Sequence, residues 1–191
     1  MAQVLDIAGA TGLFVKTAIQ YGWNAIGIEP SKYLSDKAVA DGIPMINGTF
    51  PHPDCTGPYD AIFLTDLIEH IENPASLVHS LPAALNPDGI VVVSTPNVSA
   101  LMAKIMGHKW WHFRIAHIGY YNKRTLTRLM ESAGFTLVRY TTSRWYFSGD
   151  YIVQRLATYL PFLSKYDKYF KNIMLPFNIG DSMVGIFKLS R

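Results

Sequence analysis

The stretch V-L-D-I-A-G-A-T-G, residues 4–12, decides how the rest of this chain is interpreted. An apolar run interrupted by Asp6 leads into a loop of small residues, and residues 13–21 then have a helical pattern. This order predicts a strand, a tight turn and a helix. In parallel α/β sheets, a turn of small residues lets a ligand approach the backbone at the helix N-terminus. We therefore predict a ligand site at the carboxyl end of the first strand.

The composition indicates one folded domain over residues 1–191. Apolar residues make up 49% of the chain and aromatic residues 13%, which argues against disorder. The one cysteine, Cys55, excludes an internal disulfide and fits a reducing compartment, so we expect a cytoplasmic protein. No basic and apolar leader opens the sequence, and no apolar run is long enough to cross a bilayer.

The net charge of +3 is unevenly distributed. Residues 1–100 carry 3 Lys/Arg and 10 Asp/Glu, whereas residues 101–191 carry 14 Lys/Arg and 4 Asp/Glu. A basic second half is expected to face something anionic, such as phosphate, nucleic acid or a lipid headgroup. A solvated basic face explains the same charges equally well.

Hydrophobic patterns predict strands that alternate with helices along the chain. Strands are predicted at residues 4–7, 24–29, 43–46, 59–65, 90–94, 135–141 and 183–189. Helices are predicted at residues 32–40, 74–85 and 123–133, besides the first helix. Residues 66–71 are predicted to be a loop that turns into a helix, and residues 86–89 a turn. The last two strands lack a short crossover, so we predict a doubly wound α/β sheet that ends in an antiparallel pair.

Five motifs in order make the chain resemble the class I S-adenosylmethionine-dependent methyltransferases, especially the ubiquinone-biosynthesis O-methyltransferases. They are V-L-D-I-A-G-A-T-G (4–12), I-G-I-E-P-S (26–31), Y-D-A-I-F-L-T-D-L-I-E-H-I (59–71), L-N-P-D-G-I-V-V-V-S-T-P-N (85–97) and A-G-F (133–135). The resemblance implies a Rossmann-like, seven-strand sheet with an antiparallel last strand. It also implies methyl transfer, most often to an oxygen of a small-molecule acceptor or of a lipid- or sugar-linked one.

The resemblance assigns S-adenosyl-L-methionine to the carboxyl ends of several strands. By position, the methionine end would contact Asp6, Ala8, Gly9, Ala10 and Gly12, and the ribose would contact Glu29 and Pro30. The adenine would lie against Thr49 and Phe50. The reacting end would be lined by Thr65, Asp66 and Leu67. Independently of the resemblance, Glu29 follows Gly12 by 17 residues, close to the usual spacing of a ribose-binding acid.

Two features depart from the family pattern. The family loop reads D-x-G-x-G-x-G, and here Ala8 and Ala10 replace the first two glycines, so we expect weaker cofactor binding. Family members usually carry one or two helices before the first strand, whereas this chain begins almost on it. We therefore expect the cofactor cover to come from a missing segment or from a partner. Residues 99–122 and 143–180 are interpreted as acceptor-side insertions.

A second group of polar residues follows the fourth strand. Asp66, Glu69 and His70 have i, i+3, i+4 spacing and would share one face of a helix opened by Asp66. With His117 as a further ligand, this set suits Mg²⁺, Mn²⁺, Fe²⁺ or Zn²⁺. It resembles the Mg²⁺ site of the small-RNA 2′-O-methyltransferases. Alternatively, Glu69 and His70 shape the acceptor pocket, and His70 or His117 is a general base.

The later segments suggest partners. The aromatic residues after the fifth strand could stack on a planar or sugar acceptor, with Arg114 on its phosphate, or could pack in the core: Trp110, Trp111, Phe113, Tyr120 and Tyr121. His108 and His112 are expected to be packing or solvated residues. The amphipathic segment 151–162, with lysines beyond it, fits an active-site cover or a dimer helix best, and an anionic membrane surface as an alternative.

Two further functions remain as alternatives. A methyltransferase-fold binding domain with weakened catalysis would explain Ala8 and Ala10. An RNA 2′-O-methyltransferase would explain the basic second half, but the basic residues are scattered and no RNA-binding motif is visible. We therefore expect a small-molecule or anionic acceptor in preference to nucleic acid.

Overall fold

The computed structural model describes residues 1–143, 145–158, 160–178 and 180–190. In chain order its strands are β1 (Gln3–Ile7), β2 (Asn24–Glu29), β3 (Met45–Asn47), β4 (Tyr59–Thr65), β5 (Leu85–Pro96), β6 (Phe135–Thr142), β7 (Trp145–Ser148), β8 (Met174–Phe177) and β9 (Ser182–Leu189). Its α-helices are α1 (Leu13–Gln20), α2 (Lys32–Ala40), α3 (Pro74–Ser80), α4 (Leu101–Met106), α5 (Lys123–Glu131), α6 (Gly149–Ala157) and α7 (Asp167–Phe170).

A seven-stranded sheet in the order β3-β2-β1-β4-β5-β9-β6 forms the centre of the molecule. The pairs from β3 to β5 are parallel, and β9 runs antiparallel between β5 and β6. The predicted Rossmann-like sheet with an antiparallel last strand is thereby confirmed. Strand order reverses between β1 and β4, so the loops after these two strands meet at the edge where such sheets bind ligands.

Alternate residues of the strands pack against helices on opposite faces of the sheet. Leu5 and Ile62 belong to the larger core cluster, which includes residues of α3 and α5. Val4 and Ala61 belong to a second, smaller cluster, with residues of α1 and α2. Because successive side chains of a strand point to opposite faces, both faces are covered and the sheet is doubly wound.

Local chain breakers explain where the observed elements differ from the predicted ones. The predicted helix over residues 74–85 is wrong at its end: α3 stops at Ser80, and Leu81–Ala84 form a 3₁₀ turn. Pro82 lies in this turn and has no N–H to continue an α-helix. The predicted turn over residues 86–89 lies inside β5 as an irregularity, because Leu85 pairs with Tyr59 and Ile90 with Ala61.

The helix that Asp66 was expected to open is absent. Asp66 has a φ of 49°, which is left-handed, and its N–H donates to the Ser94 carbonyl at 2.9 Å. Only a single 3₁₀ turn follows, Ile68–His70. The prediction that Asp66, Glu69 and His70 share one helical face is therefore wrong, because the left-handed backbone of Asp66 is incompatible with the start of a right-handed α-helix.

The later part of the chain contains a small two-stranded sheet that the sequence pattern did not predict. Strands β7 and β8 pair antiparallel as a second sheet, across a segment that includes α6, α7 and the 3₁₀ helix Pro161–Tyr166. Tyr159, one of the apolar positions of the predicted amphipathic segment, lies outside the described residues. None of the helices in the described ranges is long and apolar enough to span a membrane.

Candidate functional site

The loop after β1 holds three residues in a left-handed conformation. The φ angles of Ala8, Ala10 and Gly12 are 61°, 48° and 76°. Glycine adopts such angles freely, whereas a side chain at each position costs about 1 kcal/mol. The two alanines therefore occupy the positions at which the resemblance expected glycine, and the loop keeps the glycine-type conformation under strain.

Gly9 and Gly12 are required by close packing around the same loop. A Cβ atom added to Gly9 would lie 2.9 Å from the Asp6 Oδ2 atom. A Cβ atom added to Gly12 would lie 2.7 Å from the Ile43 Cγ2 atom. The loop thus lies directly against the Asp6 carboxyl group, which is itself buried at the end of β1.

Two buried carboxyl groups stand behind the loop. One oxygen of Glu29 accepts a hydrogen bond from the Ala10 N–H at 3.0 Å, and the other accepts one from the Ser31 N–H at 2.8 Å. Burial, and then the nearby charge of Glu29, raise the pKa of Asp6 to about 7. Glu29 is therefore fixed in place with acceptor capacity to spare for a ligand hydroxyl, while Asp6 titrates near neutral pH.

An apolar cleft adjoins the loop and contains five of the predicted cofactor residues. It is lined by Ile7, Ala8, Ile28, Pro30, Gly48, Thr49, Phe50, Leu67, Ile71 and Leu77. Such a lining suits a planar aromatic ring system. Thr65 lies at the end of β4 in register with Ser94, and Asp66 faces a second cavity instead.

The second cavity, of about 270 Å³, opens beyond the end of β4. Its lining combines two carboxyl groups, three imidazoles and one guanidinium with two apolar residues: Asp66, Glu69, His70, Pro96, His112, Arg114, Ala116 and His117. Both candidate catalytic histidines and all four predicted metal ligands therefore line one cavity. The segment that brings His117 here is anchored by the Glu69 carbonyl, which accepts the N–H groups of Ile118 and Gly119 at 2.9 Å each.

Glu69, His70 and His117 form a compact group, with one ligand atom of each within 4.8 Å of the others. The Thr95 hydroxyl donates to the Glu69 carboxylate at 2.9 Å. The His70 Nδ1 atom lies 2.8 Å from the Ala116 carbonyl oxygen, which can only accept. The neutral His70 ring therefore carries its proton on Nδ1 and leaves Nε2 free to accept a proton or bind a metal.

Electrostatics divide the cavity residues into two sets. Burial raises the pKa of both carboxyl groups, Asp66 and Glu69. Burial first, and then electrostatic repulsion from the protonated forms of His70 and His112 and from Arg114, lower the pKa of His117. A neutral imidazole is the form that accepts a proton or binds a metal, so this environment favours both roles. Asp66 stays outside the group of three and accepts a hydrogen bond from the Ser94 hydroxyl at 3.3 Å.

Asp181 is a site residue that the sequence analysis missed, and His112, which was expected to be a packing or solvated residue, lines the cavity. The Asp181 Oδ2 atom accepts a hydrogen bond from the Trp111 indole at 2.9 Å and lies 3.2 Å from His112 Nε2. Asp181 is buried directly before β9. Because β9 is antiparallel, its start lies at the carboxyl edge of the parallel strands. That rule could have identified Asp181, whereas no local motif does.

The aromatic residues proposed to stack on the acceptor are divided by the structure. Trp110 is 1% exposed and packs with Ala100 and Ala103, which confirms the packing alternative for this residue. Tyr121 packs against the main core. Trp111, Phe113 and Tyr120 are exposed, and Arg114 lines the cavity while its Nε atom donates to the Trp111 carbonyl at 2.9 Å.

A larger cavity, of about 550 Å³, lies at the opposite edge of the sheet, where Gln3, Asn24 and Tyr59 begin their strands. Parallel α/β sheets bind ligands at the carboxyl ends of their strands. We therefore place the functional site at the apolar cleft and the polar cavity, in spite of their smaller volume.

Known proteins resemble parts of the chain in sequence. The chain is 25% identical over 122 residues to the ubiquinone biosynthesis O-methyltransferase of Haemophilus ducreyi, covering 56% of this chain and 52% of that protein. It is 31% identical over 114 residues to the mitochondrial enzyme of the same name from Arabidopsis thaliana, covering 52% of this chain and 35% of that protein. The chain thus spans about half the length of the Haemophilus relative and about a third of the Arabidopsis one.

Solved structures share the fold at low sequence identity. A SAM-dependent methyltransferase from Archaeoglobus fulgidus has a TM-score of 0.68 at 16% identity, covering 98% of this chain and 86% of that chain. A cyclopropane synthase from Mycobacterium tuberculosis has a TM-score of 0.61 at 17% identity, covering 100% and 78%. The family model for the methyltransferase domain matches residues 2–140. The chain therefore belongs to the methyltransferase domain family, with the class I S-adenosylmethionine-dependent fold.

Proposed function

We propose that this domain transfers a methyl group from S-adenosylmethionine to an oxygen of a small-molecule acceptor, or of a lipid- or sugar-linked one. The observation that carries the proposal is the group of Glu69, His70 and His117 in a polar cavity next to the apolar cleft. A hydroxyl acceptor must lose its proton during transfer, and this group can accept one. The relatives named as O-methyltransferases support oxygen as the acceptor atom.

The residues around the loop after β1 and the apolar cleft fit S-adenosylmethionine. Glu29 keeps unused acceptor capacity for the ribose hydroxyls, and Thr49 and Phe50 line an apolar cleft suited to adenine. Asp6 and the loop up to Gly12 would hold the methionine end. When bound, the cofactor supplies a methyl carbon activated by a positively charged sulfonium. The chain's own contribution is to hold both substrates in line and to exclude water between them.

His70 is the residue best placed to accept the acceptor's proton. Its Nδ1 atom is engaged with the Ala116 carbonyl, so the lone pair on Nε2 remains available. The His117 ring lies edge-on to the His70 ring, with centroids 4.7 Å apart. A neutral His117 carries no charge that would oppose a positive charge on His70 after proton transfer.

The same three residues form a candidate metal centre, as the second part of the proposal. Two imidazoles and one carboxylate are a ligand set that suits Zn²⁺, Fe²⁺ or Mn²⁺ better than Mg²⁺, which prefers oxygen ligands. The buried His117 Nδ1 atom has no hydrogen-bond partner among the described residues, which fits a role as a ligand. A metal held there would lower the pKa of a coordinated hydroxyl.

Calorimetric titration with S-adenosylhomocysteine tests the cofactor half of the proposal. We expect saturable binding by the folded chain, followed by methyl transfer to at least one member of a panel of hydroxylated acceptors, detected by mass spectrometry. Absence of binding at high micromolar ligand would contradict the proposal. Binding without transfer to any acceptor would favour the alternative of a binding domain, which the strained Ala8 and Ala10 also motivate.

Elemental analysis tests the metal half. Wild type, His70→Ala and His117→Ala are purified alongside His108→Ala, an exposed histidine outside the cavity. We expect stoichiometric Zn, Fe or Mn in wild type and in His108→Ala, and loss of the metal in the other two variants. Equal metal content in all four proteins would remove the metal and leave His70 as a general base.

A further inference from the structure

The segment that contains α6, α7 and β8 exposes large apolar side chains without a core beneath them. Tyr146, Phe162, Tyr169 and Met174 are each more than half exposed. Among the residues described between 146 and 178, Gly149 alone is buried, and it has no side chain. Exposed apolar residues scattered singly are ordinary, whereas a continuous segment of them marks an interaction surface.

The parts of this segment pack on one another rather than on the sheet. Helix α6 contacts both the 3₁₀ helix Pro161–Tyr166 and α7, and these two also contact each other. The core clusters formed by the described residues include none from this segment. The exposed side chains therefore belong to one local unit, which we call the aromatic face and define as residues 146–158 and 160–175.

Positive charge is interleaved with the aromatic face. Lys165, Lys168 and Lys171 recur at every third residue and are all exposed. The ammonium groups of Lys165 and Lys168 lie 5.0 and 5.2 Å from the ring centroids of Tyr166 and Tyr169. Tyrosine and lysine combine an apolar body with a polar end, which is the combination favoured where an apolar interior meets water and anionic headgroups.

We propose that the aromatic face docks on an anionic lipid bilayer surface, with its aromatic and aliphatic side chains in the headgroup region and its lysines on lipid phosphates. Charge complementarity favours this occupant over a second copy of the chain, because a symmetric dimer would bring the same lysines together. The attraction of lysines to anionic lipid adds to the burial of apolar area in such surface docking.

Flotation of the full chain with vesicles tests this proposal without any measurement of activity. We expect binding to vesicles that contain about one third phosphatidylglycerol in phosphatidylcholine, and much weaker binding to phosphatidylcholine alone. Replacing Lys165, Lys168 and Lys171 by glutamine lowers the partition coefficient about fivefold per lysine, or roughly a hundredfold together. The matched control replaces the exposed Lys16, Lys37 and Arg124 on other helices, and its partition coefficient changes little.

A second pair of variants tests the apolar contribution. Phe162→Ala lowers the partition coefficient about tenfold, because the ring no longer leaves water on binding. Tyr33→Ala removes a ring on α2 that is more exposed than Phe162, at 75% against 62%, and leaves partition unchanged. Absence of binding to anionic vesicles, equal binding to neutral ones, or equal losses in both controls would overturn the proposal. Self-association of the chain in the absence of lipid, if the lysine variants abolish it, would also overturn the proposal. The aromatic face would then bind a second copy of the chain.

Discussion

The two regions of the site differ in how the chain builds them. The cofactor region uses the loops after the adjacent strands β1 and β2, where Glu29 accepts the N–H groups of Ala10 and Ser31. The acceptor region joins Glu69 and His70 to residues that follow β5, such as His117. The first region therefore depends mainly on two adjacent strands and the loops after them, and the second on contacts between segments farther apart in the chain. If this division is correct, substitutions in one region should affect cofactor binding and those in the other should affect transfer.

His70→Ala should have the largest effect. Loss of a positioned general base lowers the rate of methyl transfer about 10²- to 10⁴-fold. Affinity for S-adenosylhomocysteine should stay near that of wild type, because His70 lies outside the apolar cleft. Single-turnover rates and calorimetry measure the two quantities separately, with His108→Ala as the control. A parallel loss of cofactor affinity would break the division between the regions.

Asp6→Asn should change how stability depends on pH. The folded-state pKa of Asp6, about 7, lies above its ordinary value of 3.8, so the folded protein holds this proton longer than the unfolded chain does. The unfolding free energy of wild type should therefore fall as pH rises from 4 to 7, by at most about 1.4 kcal/mol per pH unit from this group.

The asparagine variant removes that contribution, because its side chain does not titrate. Urea unfolding of both proteins across this pH range provides the measurement, and the difference in unfolding free energy between them should change steadily over it. A difference that stays constant with pH would show that burial does not perturb Asp6.

Glu29→Gln should weaken cofactor binding and spare the chemistry. The change replaces a charged acceptor by a neutral one behind the loop, at a cost of about 2 kcal/mol, or some thirtyfold in affinity for S-adenosylhomocysteine. At saturating cofactor, the rate of transfer should recover to near the wild-type value. A rate that stays low at saturation would place Glu29 in the acceptor region instead.

Ala10→Gly should have the smallest effect and the opposite sign. Relief of the left-handed strain at a φ of 48° should stabilise the fold by about 0.5–1 kcal/mol, after the extra flexibility of glycine in the unfolded chain is counted. Ala18→Gly, in the middle of α1, is the control and should destabilise the fold by about 1 kcal/mol or more. Thermal unfolding of both variants measures the difference, and a loss in both would show that the loop is unstrained.

Much of the fold could be predicted from the sequence because its elements have local patterns. Strands β2 and β4 and helix α2 have the bounds that periodicity predicted. The family loop alone identified Ala8 and Ala10 as substituted glycine positions, and the structure gives both a left-handed conformation. Local pattern could not predict the pairing of β7 with β8, since these strands are separated by a helical segment.

The candidate site could be predicted only in part. Glu69, His70 and His117 were named together, and the structure places them together. The expected helix at Asp66 was wrong, because spacing alone does not reveal the left-handed backbone there. Asp181 was missed because it reaches Trp111 and His112 from about 70 residues away, through the pairing of β9 with β5.

A crystal structure of the chain grown with S-adenosylhomocysteine tests the central claim most directly. The account predicts density that crosses the loop of residues 8–12, with the ribose on Glu29, the adenine between Pro30 and Phe50, and the sulfur end directed to the cavity of His70 and His117. Density for the ligand in the cavity at the opposite edge of the sheet, beside Asn24 and Tyr59, would contradict it.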